Sequence, residues 1–181
     1  MDIGQIVASK VDAISKSPLL SIEQLPDIDL YIEQMTSYLE EKLGDSLRTD
    51  DEKIITKPMV NNYTKGGLIP RPNNRRYGQA HLIALMFICL LKQSLSFQEI
   101  KTALSLRPTE EEQKETYQHL AKMVNDYRDT FVKANEERMG RIRAEVGEDA
   151  PEEEIALLYI TLTSLEATAD KLLCSKILKD L

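Results

Sequence analysis

Beyond Pro108 the chain has a single interruption, the turn GEDAPEEE at 147–154, so everything after Pro108 is expected to fold as two long helices. In the first, Tyr117, Leu120, Val124, Tyr127, Phe131 and Ala134 recur in alternating steps of three and four, the spacing of a coiled-coil seam. In the second, residues 152–179, the side chains Ile155, Leu158, Leu162, Leu165, Leu172 and Leu173 are expected to face inward. The 117–134 seam is either an interface between two copies or a face that packs on the last helix. Glu110–Glu112 and Glu152–Glu154 place carboxylates in the first turns, where the helix dipole favours them.

Upstream, helical spacing continues in shorter pieces. Ile3, Val7, Val11 and Ile14 mark an amphipathic helix over 2–16. Asp27, following Pro26, is placed to cap a helix whose apolar face holds Ile28, Tyr31, Ile32, Met35, Tyr38 and Leu39, with Gly44 to end it. A polar loop, DSLRTDDEK, comes next. Thr56 then caps a short helix over 56–65, with Pro58 in its first turn and Gly66-Gly67 at its end. Pro70 and Pro72 argue against helix, and Asn73-Asn74 between short extended arms reads as a hairpin. Residues 78–92 are an apolar helix, and Ser96 with Glu99 forms a capping box for the next one. The expected fold is all-α with one small hairpin. It divides into an N-terminal helix or arm (1–20), a middle domain (21–106) and a C-terminal antiparallel helical hairpin (107–181).

Charge is unevenly spread. The chain carries a net −7, yet residues 53–98 hold seven basic side chains and no Asp or Glu. A local basic footprint matters more to a nucleic acid than the overall balance. A carboxylate on such a surface would repel phosphate. The short helix 56–65 offers Lys57, Asn61, Asn62, Tyr63, Thr64 and Lys65, with ammonium and amide groups suited to reading base edges in a major groove, while Tyr63, on one face with Val60, is by its spacing either a contact or a core residue. The segment 69–77 offers Arg71, Arg75 and Arg76 for the flanking backbone.

The run MVNNYTKGGLIPRP, RRYGQAHL and LSFQEI resembles the winged helix-turn-helix of MerR-type transcription regulators. With LPDIDLYIEQM added, residues 21–135 are similar to a YkrK-like bacterial family of unknown function, thought to regulate transcription. The resemblance implies that 56–65 is a recognition helix and 69–77 a wing. It puts Asn61 and Asn62 where MerR-type proteins often carry Arg and Tyr facing DNA, Tyr63 at a tyrosine of that helix and Arg75 at the wing arginine. The wing is short, Gly78 replaces the usual hydroxyl cap, and the loop before 56 exceeds the roughly three or four residues of a helix-turn-helix turn. The first helix of the motif is therefore left unassigned. The effector cysteines of metal-sensing relatives are missing, so metal sensing is not implied.

Other classes have less support. No Gly-rich phosphate loop, nucleophile elbow or metal-ligand spacing is present, so neither catalysis nor a cofactor is expected. Cys89 and Cys174 lie in apolar helical patterns and read as buried thiols. With no apolar run near 18 residues and no secretory signal at the N-terminus, the expected location is the cytoplasm. The expected partners are double-stranded DNA and a second copy of the chain. A small-molecule effector leaves no mark in the sequence. The alternative function is a non-enzymatic protein-interaction adaptor, an anti-factor or assembly chaperone working through the acidic helical C-terminal half.

Overall fold

The computed structural model describes residues 2–15, 19–47, 53–147 and 149–181. Its elements are α1 (Ile3–Ser15), a 3₁₀ turn (Ile22–Gln24), β1 (Leu30–Tyr31), α2 (Ile32–Leu47), α3 (Lys57–Gly66), β2 (Arg76–Tyr77), α4 (Gln79–Leu91), α5 (Phe97–Ser105), α6 (Glu110–Val146) and α7 (Glu152–Asp180). The chain is mostly helical, with one small two-stranded antiparallel sheet. It forms two compact units, residues 19–122 and residues 1–18 with 123–181, so the boundary falls inside α6.

In the 19–122 unit, α4 is the central element. Its residues Leu82–Met86, Ile88 and Cys89 are all buried, so the helix is apolar around most of its circumference. Met35, Leu39 and Leu43 of α2, Val60 and Tyr63 of α3 and Ile100 of α5 complete the core. Tyr117, the first residue of the 117–134 seam, is wholly buried in this unit. Its hydroxyl donates to the Leu20 carbonyl at 2.7 Å, and its ring meets Phe87 edge to face at 5.7 Å. Burial pushes the Tyr117 phenol well above its usual range. This part of the seam is therefore intramolecular, whereas Tyr127 further along is 60% exposed.

The local caps follow the sequence. The Thr56 hydroxyl accepts from Met59 N–H at 3.4 Å, and Gly67 ends α3 at φ +75°, a left-handed conformation suited to glycine. At Ser96 the box is complete: the Ser96 N–H donates to Glu99 at 2.8 Å, and the Glu99 N–H to the Ser96 hydroxyl at 3.4 Å. Thr109 and Glu112 repeat it at the start of α6, so Thr109 is the cap there.

Two expectations are corrected. The helix expected from Asp27 begins only at Ile32, because Leu30 and Tyr31 are drawn into antiparallel pairing with Tyr77 and Arg76. It then runs through Gly44 to Leu47. The polar loop beyond it lies partly outside the described residues. Ile54, just after that gap, is held on both sides. Its N–H donates to the Glu40 carboxylate at 3.0 Å, and its carbonyl accepts from the Lys92 ammonium. The expected hairpin also has a different partner strand. Pro70 and Pro72 lack the amides that a ladder needs, so the arm before the turn meets β2 only at the Asn73–Arg76 bridge, and the strand that pairs along β2 is β1.

In the other unit, α6 and α7 form an antiparallel hairpin through the left-handed Gly147 at φ +87°. Ile142, Ile155 and Tyr159 make its core, with Ile3 and Val7 of α1 packed against them, so α1 is no free arm. The Ile3 N–H donates to Glu152 at 2.6 Å. A polar cluster fixes the register of the two long helices. Arg138 donates to Asn135 at 2.7 Å and to Glu166, stacks over the Tyr159 ring, and the Tyr159 hydroxyl donates to Asn135. From Leu162 onward the leucines expected to face inward do not: Leu162, Leu165, Leu172 and Leu173 are exposed.

Candidate nucleic-acid interface

The ten residues of α3 divide cleanly by side. Val60 and Tyr63 face the core, while Lys57, Asn61 and Lys65, spaced at four and eight, share the exposed side with Asn62. Thr64 is half-buried and its hydroxyl donates to the Val60 carbonyl at 2.9 Å, which occupies it within the helix. Tyr63, expected among the contacts, is instead a packing residue. It is buried, its ring stacks on Phe97 at 6.5 Å between centroids, and desolvation raises its phenol pKa. The neighbouring Gly66 makes this possible, since a Cβ there would lie 2.2 Å from the Phe97 ring.

The turn after Pro72 is centred one residue later than the sequence suggests. The Asn73 carbonyl accepts from Arg76 N–H at 2.8 Å, and the two residues between, Asn74 and Arg75, have φ of +48° and +62°. Positive φ at both central positions is the pattern of a type I′ turn, which follows the twist of a hairpin. Asparagine adopts this region with little strain, but arginine does so at a cost of about 1 kcal/mol or more. Arg75 is exposed at the tip. Arg76 lies with its guanidinium 4.6 Å from the Tyr31 ring centroid and donates to the Tyr31 hydroxyl at 3.1 Å. The tip is thereby tied to the strand that precedes α2.

The basic groups of 53–98 are not equally available. Lys57 donates to Glu33 of α2 at 2.5 Å, a contact that holds the Glu33 carboxyl below its usual range. Lys92 is spent on the Ile54 carbonyl. Lys65, Arg71 and Arg75 pair with no carboxylate among the described residues. A groove of about 770 Å³ runs between the end of α3, the segment before the turn, α5 and the start of α6, lined in part by Lys65, Arg71 and Lys101. Lys101 lies outside the carboxylate-free run and was missed in the sequence. The signal for it was the row Gln98, Lys101, Ser105 on the exposed side of α5. Glu110 is the one carboxylate of the groove lining, so cations outnumber it three to one.

The His81 ring is satisfied on one side only. Its Nδ1 accepts from Gly78 N–H at 3.1 Å and thus supplies the cap that glycine lacks, while Nε2 is buried with no partner among the described residues. Tyr77 packs edge-on against its ring at 5.3 Å. Cys89 is buried, and its thiol is pushed up to about 11 by desolvation. Cys174 is exposed, contrary to the expectation of a buried thiol, as are its neighbours Leu172 and Leu173. No helix among the described residues is long and apolar enough to cross a membrane, and no three His, Cys, Asp or Glu among them could hold a metal ion.

A family model described as a domain of unknown function, DUF1836, matches residues 20–128. The chain belongs to the DUF1836 family. The match coincides closely with the 19–122 unit, so the DUF1836 domain is the part built around α4 that carries α3 and the basic turn. No curated protein and no solved structure matches the chain.

Proposed function

We propose that the DUF1836 domain binds double-stranded DNA and that the protein is a sequence-specific transcriptional regulator. In this reading the arrangement is a MerR-like winged helix-turn-helix. Helix α2 is the supporting helix, α3 enters the major groove, and the 73–76 turn with β2 is a wing on the flanking backbone. One observation carries the reading: Lys65, Arg71, Arg75 and Lys101, four exposed cations with no ion pair among the described residues, gather around the end of α3, the groove and the turn tip. Exposed Asn61 and Asn62 lie on the adjacent helix side. Phosphate neutralisation supplies affinity and the amides supply discrimination. The strained Arg75 fits this division, since a residue held at positive φ with its charge in solvent contributes little to the fold itself.

Binding to a selected site and to random duplex separates the two roles. Asn61→Ala should leave random-duplex affinity nearly unchanged and cost roughly 1–3 kcal/mol at the selected site, the value of a bidentate amide–base contact. Arg75→Gly should weaken both equally and flatten the salt dependence by about one phosphate. The same change relieves the backbone and should raise stability by up to about 1 kcal/mol in urea denaturation. An Asn61→Ala variant that loses affinity equally for both duplexes would remove α3 from the groove.

A further inference from the structure

Residues 53–98 hold no Asp or Glu, yet the fold brings a carboxylate to the first residue of α3. Glu33, in the first turn of α2, accepts from the Lys57 ammonium at 2.5 Å. The pair lies in solvent, with the Lys57 side chain 51% exposed and that of Glu33 59%. An exposed pair adds little to stability. The helix dipole also argues against a structural role for Lys57, since it disfavours a cation at the first helical position. Lys57 shares its side of α3 with Asn61, one turn further on. Each partner keeps capacity after meeting the other. Lysine has three N–H donors and an ionised glutamate about four acceptor positions, and the contact uses one of each. Together the two side chains present a donor beside an acceptor. In the major groove a G·C pair presents the complement: guanine O6 and N7 accept, and the cytosine N4 amino group donates.

We propose that the Lys57–Glu33 pair recognises a G·C base pair, with the ammonium on guanine O6 and N7 and the carboxylate on cytosine N4. The inference rests on the DNA reading of α3 and names one base pair of its site. An A·T pair in the same orientation would set the adenine N6 donor against the ammonium and the thymine O4 acceptor against the carboxylate, like against like. The carboxylate also cancels the charge of Lys57, so the pair adds discrimination without adding attraction for phosphate in general. Four helical residues rise about 6 Å and stacked base pairs about 3.4 Å, which places the G·C pair within about two steps of the base that Asn61 meets.

Duplexes selected by the full chain from a random pool, together with single-base variants of the tightest of them, supply the test. The selected site should hold a G·C pair at one position, and changing it to A·T should weaken binding about ten- to a hundredfold. Glu33→Ala and Lys57→Ala should each reduce that preference to within about threefold and leave the preference at the Asn61 base intact. On random duplex the two variants should part. Glu33→Ala frees a cation, so the slope of log K against log salt should steepen by about 0.9. Lys57→Ala removes a cation already neutralised, so its slope should stay near that of the wild type. Both side chains are more than half exposed, so circular dichroism should show both variants folded. A wild-type slope near zero overturns the DNA reading and this inference with it. A steep slope with no G·C preference, or with one that survives both changes, overturns this inference alone. So does a Glu33→Ala slope equal to that of the wild type.

Discussion

The DUF1836 protein's affinity for duplex DNA should fall roughly a hundredfold or more between 50 and 200 mM monovalent salt. The expectation follows from counterion release. Each phosphate neutralised contributes a slope of about −0.9 in log K against log salt. Seven basic side chains in a run without carboxylates would suggest a steeper dependence. However, Lys57 is already paired with Glu33, and Lys92 is bound to the Ile54 carbonyl. Of the other five, Arg76 lies over the Tyr31 ring and Lys53 is not in the groove lining, so Lys65, Arg71 and Arg75 are counted together with Lys101 of α5, and four contacts give a slope near about −3.6. Fluorescence anisotropy on a labelled random duplex across this range measures it. A slope within about one unit of zero would contradict the DNA reading, and the adaptor reading would then gain.

Tyr117→Ala should cost about 3–5 kcal/mol of unfolding free energy, the range for emptying a large buried aromatic site. The residue is fully buried and is the largest such side chain among the described residues. It also satisfies the Leu20 carbonyl at 2.7 Å. Tyr117→Phe isolates that bond: the ring and its edge-on contact with Phe87 remain, and the loss should be about 1–2 kcal/mol. Equilibrium urea unfolding of both variants gives the two values. Equal losses for Phe and Ala would mean that the hydroxyl, not the ring, anchors α6 in this unit.

The sequence showed clearly whatever depends on a few adjacent residues. The caps at Thr56 and Ser96 and the end of α3 at Gly67 need only side chains within a turn of one another. The start of α2 did not, because Asp27 lost its cap to a strand pairing with residues far along the chain. The same pairing hid the partner of β2. At the candidate interface the exposed side of α3 and the basic turn were legible from spacing and charge. The loss of Lys57 to Glu33 and of Tyr63 to Phe97 was not, since both depend on which helices meet. Lys101 was overlooked for the same reason: proximity to Lys65 and Arg71 is a property of packing. The outward leucines of α7 share a period with inward ones, and periodicity alone does not say where a neighbour ends.

The double clasp on Ile54 separates the placement of α3 from the length of chain that leads to it. With its amide on Glu40 and its carbonyl on Lys92, Ile54 sets the entry point of α3 from α2 and α4 rather than from the preceding connection. Doubling the length of a connection costs in general only about 0.6 kcal/mol of closure entropy. The stretch between Leu47 and Ile54 is therefore a place where evolution or an engineer can insert sequence, even a small folded module, without re-aiming the exposed asparagines.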